Sequence, residues 1–149
     1  MNIDVINWRI LKHLQENARS TNTYIGRQVG ITSPAVAERI RKMEDAGFIS
    51  GYKAELSPLK LGFQFKAIIT LRAFMGRLKP FLEIVKTYDE VLNCYRITGN
   101  ENIVMEVVLV DQKHLEKFID QLISYGETKT QIVLSDVVAN NVIKRPIKS

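Results

Sequence analysis

The stretch from Asn22 to Lys53 constrains this chain most. Tyr24, Ile25 and Val29 form one apolar side of a short helical pattern, and Gly30 follows as a left-handed helix end. Gly26 inside that pattern costs about 1 kcal/mol of helix propensity relative to alanine. Its presence predicts close packing against a neighbouring helix. Ser33-Pro34 opens a second helix: proline drives the residue before it toward extended geometry, so Ser33 reads as the cap and Pro34 as the first helical residue. Val36, Ile40, Met43 and Gly47 share one face of that helix. Pro34, Glu38, Arg41, Lys42 and Asp45 point away from it, with Arg39 on the flank. Phe48 to Leu56 reads as an extended segment leaving the helix at Gly47. Helix, tight turn, helix and strand together predict a winged helix-turn-helix.

On an arbitrary helix Arg41 and Lys42 would be part of a solvated charged face. On the second helix of this motif they are candidates for DNA phosphate. Ser33, Pro34 and Ala35 stand at the helix N-terminus, where base edges are approached, and Glu38 can accept from a cytosine amine. Arg39 either pairs with an acid of the first helix or reaches a phosphate from the flank. Tyr52 and Lys53 are candidate phosphate contacts from the wing. The net charge of +5 favours an anionic partner, here double-stranded DNA. Residues 1–53 hold 8 Lys/Arg against 5 Asp/Glu, and residues 54–143 hold 10 against 11. The tail 144–149 adds Lys144, Arg145 and Lys148, so the basic excess lies at the two ends.

Ahead of the motif, Ile3, Ile6, Ile10, Leu11 and Leu14 predict a helix from Ile3 to about Asn17. Asp4 falls in its first turn and Trp8 at the edge of the core. Beyond it, Ser57 to Gly62 is punctuated as a boundary. Strands are expected over Phe65–Phe74, Val91–Thr98, Ile103–Val110 and Thr128–Val138, with helices over Leu78–Thr87 and from Asp111 to about Ser124. The nearly all-apolar third strand should be central. This β-α-β-β-α-β order is that of a ferredoxin-like domain, so the fold class is α+β. Helices then cover one sheet face, and the open face predicts dimerisation.

Several chemistries are not indicated. The one cysteine, Cys94, permits no intrachain disulfide and reads as a small buried residue, which fits a reducing cytoplasm. Met1–Asn17 carries Asp4 and Glu16 and does not read as a secretory leader. No apolar run has the length of a membrane span. His13 and His114 are too few for a metal site, and no phosphate loop, dinucleotide fingerprint or nucleophile elbow is present. The expectation is a non-enzyme without cofactor.

The chain resembles the Lrp/AsnC family of leucine- and asparagine-responsive regulators over nearly its whole length. The resemblance is carried by Ile10-Leu11 and Leu14-Gln15-Glu16-Asn17-Ala18-Arg19, by Val29 to Val36, by Glu38 to Glu44, and by Gly47-Phe48-Ile49 with Gly51-Tyr52. Leu61-Gly62 and Cys94-Tyr95-Arg96-Ile97-Thr98-Gly99 complete it. It implies a DNA-binding domain over 1–53, a linker strand and hinge over 54–62, a ligand-binding and oligomerisation domain over 63–143, and a basic tail over 144–149. It also implies a homodimer, often assembled into an octamer, and a small amino-acid effector held near Gly99, Asn100, Glu101 and Asn102. The family's loop commonly reads Thr-Gly-Asp-aromatic-Asp; here both acids are amides and the aromatic is Glu101. An asparagine offers a ligand ammonium only a neutral acceptor. Another ligand, weaker binding or no ligand all remain open. Two rival readings are an architectural DNA-wrapping protein and, since some sirohaem decarboxylases resemble this family in fold, a tetrapyrrole enzyme.

Overall fold

The computed structural model describes residues 2–147. The chain forms two compact units, one comprising the residues up to Glu55 together with those from Val138 on, the other Leu56–Val137. By contact within the chain, residues 138–143 group with the first unit. Of the expected tail, Lys148 and Ser149 lie outside the described residues.

The first unit holds helices α1 (Val5–Glu16), α2 (Asn22–Val29) and α3 (Ser33–Asp45). Asp4 is the cap of α1 and not a first-turn residue: its side chain accepts from the Asn7 N–H at 2.7 Å. Thr21 caps α2 in the same way. The cap of α3 is Thr32, one residue earlier than the sequence suggests; its hydroxyl accepts from the Ala35 N–H at 3.3 Å. Pro34 remains in the first turn, where a missing N–H leaves no helix bond unmade. The hydroxyl cap therefore outweighs proline's pull on Ser33. Ile10, Ile25, Val29, Val36 and Met43 form the core of this unit, flanked by Ile3, Ile6, Leu14, Ile40 and Ile49.

The turn depends on two glycines. Gly30 has φ of 80°, and its N–H donates to the Gly26 carbonyl. A Cβ on Gly26 would stand 2.5 Å from the Ile31 carbonyl oxygen. Gly26 is thus required by the backbone passing over it, first the turn at Ile31 and then the start of the neighbouring helix α3 at Thr32 and Ser33.

The expected wing strand does not form. Residues 51–56 are exposed, and no ladder partner for Phe48–Leu56 exists among the described residues. An extended segment becomes a strand only beside another, and this unit supplies none.

The second unit contains β1 (Phe65–Ala73), α4 (Leu78–Ile84) continued by a 3-10 turn at Val85–Thr87, β2 (Val91–Arg96), β3 (Ile103–Leu109), α5 (Gln112–Leu122) and β4 (Gly126–Ile132). The sheet is antiparallel with order β2-β3-β1-β4, which is the ferredoxin-like order and sets β3 centrally, as its apolar run predicts. β4 ends at Ile132, short of the expected Val138: its ladder with β1 closes at the Ala67–Ile132 pair, and β1 begins only two residues before Ala67. The last main-chain bond beyond their ladder is Val133 N–H to the Lys66 carbonyl. Ala67, Ile69, Leu71, Ile103, Met105, Val107 and Leu109 share a core with Phe81, Val85, Phe118 and Leu122, so both helices lie on one face. The register sends Lys66, Ile68, Thr70 and Arg72 of β1, with Val104, Glu106 and Val108 of β3, to the opposite face.

Candidate DNA-binding and effector sites

The solvent face of α3 is a linked set of charges. Arg41 donates to both oxygens of Glu38, at 2.9 and 3.1 Å, and to Asp45 at 2.7 Å. These are the i, i+3 and i, i+4 spacings that bring helix side chains together. Lys42 adds a longer pairing with Glu38, 3.7 Å. The Arg41 hydrogen bonds hold the Glu38 carboxyl below its ordinary range and push the guanidinium up in turn. Pro34 is exposed at the N-terminal end, with Ser33 and Ala35 half-buried beside it.

Arg39 has a different setting. One of its nitrogens donates to Asp4 at 2.7 Å and to Asn7 at 2.9 Å, and the pairing holds the Asp4 carboxyl low. Asn7 is 3% exposed and satisfied by this bond. Of the two settings the sequence allows Arg39, the structure contains the tie between α3 and α1. Tyr52 folds back onto α3, donating to Glu44 at 2.8 Å. Burial and then that carboxylate push its phenol up to about 12. Lys53 makes no ion pair among the described residues. Sequence reading passed over Arg27, which lines an open concavity at the turn with Thr23 and Ser33. Its one signal was position: the first helix of such a motif crosses the DNA backbone.

In the second unit, Gly99 and Asn100 are exposed at the tip of the β2–β3 loop. Glu101 pairs with Lys129 at 2.9 Å, which lowers its carboxyl. The two line a cavity of about 170 Å³ with Thr70, Arg72 and Asn100. Asn102 is occupied. Its side-chain oxygen accepts from the Ala73 N–H at 2.7 Å, its N–H donates to Leu71, and its carbonyl accepts from Ile97. It extends the β1–β3 ladder by one rung.

The remaining candidates have structural partners. Cys94 stands opposite Met105 on the core face, where burial pushes its thiol up. His114 accepts from the Val110 N–H through Nδ1 and meets Glu90 through Nε2 at 3.0 Å. His13 packs edge-on to Tyr24. No metal-holding cluster occurs among the described residues, and none of their helices is long and apolar enough to cross a membrane.

Comparison with known proteins bears on both units. The AsnC-type helix-turn-helix domain matches residues 3–44, and the Lrp/AsnC ligand binding domain matches residues 66–143. An uncharacterised HTH-type transcriptional regulator of Bacillus subtilis, YezC, is 37% identical over 133 residues, covering 89% of this chain and 94% of its own. The proline dehydrogenase transcriptional activator of Rhodobacter capsulatus is 34% identical, covering 93% and 95%. Among solved structures, a transcriptional regulator of Neisseria meningitidis in complex with L-Met superposes with a TM-score of 0.90 at 26% identity, covering 95% and 96%. Bacillus subtilis LrpC superposes at 0.88 and 26%, covering 93% and 99%. With both halves matched in order and close relatives aligned nearly end to end, the chain belongs to the Lrp/AsnC family of transcriptional regulators.

Proposed function

We propose that this protein regulates transcription as a homo-oligomer that reads DNA half-sites with α3 and answers to a small amino acid or a related molecule. The observation that carries the reading is the α2–turn–α3 unit. Gly30 closes the turn, Thr32 caps α3, and Pro34, Glu38, Arg41 and Lys42 form one solvent face of the second helix. In that geometry Ser33, Pro34 and Ala35 approach base edges, Glu38 faces a base amine, and Arg41 and Lys42 meet phosphate. Tyr52 and Lys53 follow α3 in the chain and supply further backbone contacts. Arg39 acts through α1, holding α3 in place.

Oligomerisation through the uncovered sheet face would bring two such helices to two half-sites. The effector reading is supported by the relative crystallised with L-Met and by the Gly99–Glu101 loop beside Arg72 and Lys129. An effector acts here by binding one assembly better than another. A thermal-shift screen of the twenty amino acids is expected to show stabilisation by at least one, since a ligand of the folded form raises its stability.

The DNA reading is tested with the double variant Arg41→Ala/Lys42→Ala and a duplex selected in vitro for tight binding. Affinity measured across a salt series should fall about tenfold or more, with a slope reduced by about 1 to 2 per chain. Wild-type affinity and slope in the variant would remove α3 from the interface.

A further inference from the structure

The net charge of this chain is confined to one unit. Residues 1–55 and 138–149 hold 11 Lys/Arg against 6 Asp/Glu, a net of +5, while residues 56–137 hold ten of each. Yet the recognition helix contributes nothing to that excess, because Arg39, Arg41 and Lys42 are offset by Glu38, Glu44 and Asp45 on the same helix. The surplus lies elsewhere in the unit.

Part of it is gathered where the C-terminal segment meets α1. Gln15 holds that segment by two bonds to one residue. Its amide nitrogen donates to the Ile143 carbonyl at 3.1 Å, and its oxygen accepts from the Ile143 N–H at 2.8 Å. Asn140 adds a bond to Glu55 at 2.9 Å. The residues after Ile143 then lie beside α1. Arg9, Lys12, Lys144 and Arg145 line one cavity of about 450 Å³ with Trp8, and Glu16 is its only acid, spaced 3.8 Å from Lys12. Four cations from places more than 130 residues apart in sequence thus share a concavity with a net charge of +3.

We propose that this cavity is a second DNA-backbone site, in which Arg9, Lys12, Lys144 and Arg145 hold phosphates flanking the half-site read by α3. Two features favour DNA over an acidic protein as occupant. The cluster is built on the unit that carries the helix-turn-helix, and Arg9 joins it to that motif. The Arg9 guanidinium donates to the Gln28 carbonyl at 2.6 Å, in the last turn of α2, two residues before the Gly30 turn. A guanidinium has five N–H donors, so this bond leaves others for phosphate. The contacts are to backbone, so they add affinity and orientation without reading sequence.

This inference rests on the DNA-binding reading above, and one experiment separates the two. Binding of a fluorescein-labelled random-sequence duplex is measured by anisotropy across a salt series for the wild type, Lys144→Ala/Arg145→Ala and Lys12→Ala. All three substituted side chains are exposed, so the fold is retained. Each phosphate contact contributes about 0.9 to the slope of log affinity against log salt. The double variant should therefore lose about 2 from its slope and Lys12→Ala about 1, with affinity at roughly 0.1 M salt down at least tenfold in the double variant. A double variant whose slope changes by less than about 0.5 overturns the second site while leaving the α3 reading intact. A wild type that binds no random-sequence duplex at any salt overturns the second site, and one that also fails to bind the duplex selected for tight binding overturns both.

Discussion

Asn102 offers the most direct check on how the β2–β3 loop is built. Its side-chain oxygen accepts from the Ala73 N–H at 2.7 Å, at the point where the β1–β3 ladder has ended at the Leu71–Ile103 pair. Replacing Asn102 with alanine removes the acceptor and leaves a half-buried backbone donor without a partner. A lost hydrogen bond alone costs about 0.5–1.5 kcal/mol, and an unsatisfied donor about 1–3 kcal/mol. The loop is near the surface and water can partly substitute, so the expectation is the lower part of that range, about 1–2 kcal/mol. For a unit of this size that corresponds to roughly 4–16 °C in melting temperature. Asn102→Asp should behave differently. A carboxylate accepts the same N–H as well as or better than an amide, so the variant should melt within about 2 °C of wild type at neutral pH. Circular dichroism melts of both variants, with urea midpoints as a check, decide the matter. If Asn102→Ala is as stable as wild type, or if Asn102→Asp falls as far as Asn102→Ala, the clamp is not what holds this loop.

Two further outcomes follow from the first unit. Gly26→Ala places a methyl 2.5 Å from the Ile31 carbonyl oxygen, a backbone atom that cannot swing away. Overpacking of about 1–3 kcal/mol exceeds the roughly 1 kcal/mol gained in propensity, so urea unfolding should show net destabilisation despite the better helix former. Asp4 has its carboxyl held below its ordinary value of 3.8, first by Arg39 and then by the Asn7 N–H. A depressed acid contributes stability that is present above the unfolded value and is lost as pH falls through the folded one. Asp4→Asn keeps a capping oxygen but removes the charge. Melting temperature from pH 6 down to about 3 should therefore decline less steeply in the variant, and parallel declines would refute the pairing's role.

Much of the fold was legible because local pattern and tertiary structure agree. The alternation of Ala67, Ile69 and Leu71 against Lys66, Thr70 and Arg72, the apolar run at Ile103, and the Asp111 cap of α5 each reflect one face or one end of an element. What was not legible depends on partners distant in sequence. Phe48–Leu56 has the residues of a strand but no neighbour to pair with in its own unit. β4 stops within two residues of the start of its partner β1, a fact about β1. For Arg39 the sequence offers an acid of the first helix or a phosphate, and it does not choose between them or disclose Asn7, 32 positions away. Asn102 reads as a ligand residue when seen beside Asn100, and only its distance from Ala73 distinguishes the two. Gln15 and Ile143 lie 128 positions apart, so nothing local signals that the basic C-terminal segment returns to α1.

If α3 meets DNA as proposed, its ion pairs bear on how a helix with no net charge can still bind it. In the free protein Arg41 and Lys42 are both directed at Glu38, and Arg41 also at Asp45. A phosphate must compete with those carboxylates, which weakens the pull of this helix on arbitrary DNA. Under the proposed reading, Glu38 is also the group that meets a base amine. When Glu38 turns to a suitable base, it releases Arg41 and Lys42 to the backbone, so the phosphate contact is gained only together with the base contact. On an unsuitable sequence Glu38 stays with its cations, and the helix contributes little. Affinity without sequence preference then has to come from charges outside α3, such as Arg27 at the turn and the Arg9, Lys12, Lys144 and Arg145 cluster. Phosphate contacts position a protein and base contacts specify its site. Under this reading the positioning contacts outside α3 act on any sequence, while on α3 Glu38 makes the phosphate contact conditional on the base contact.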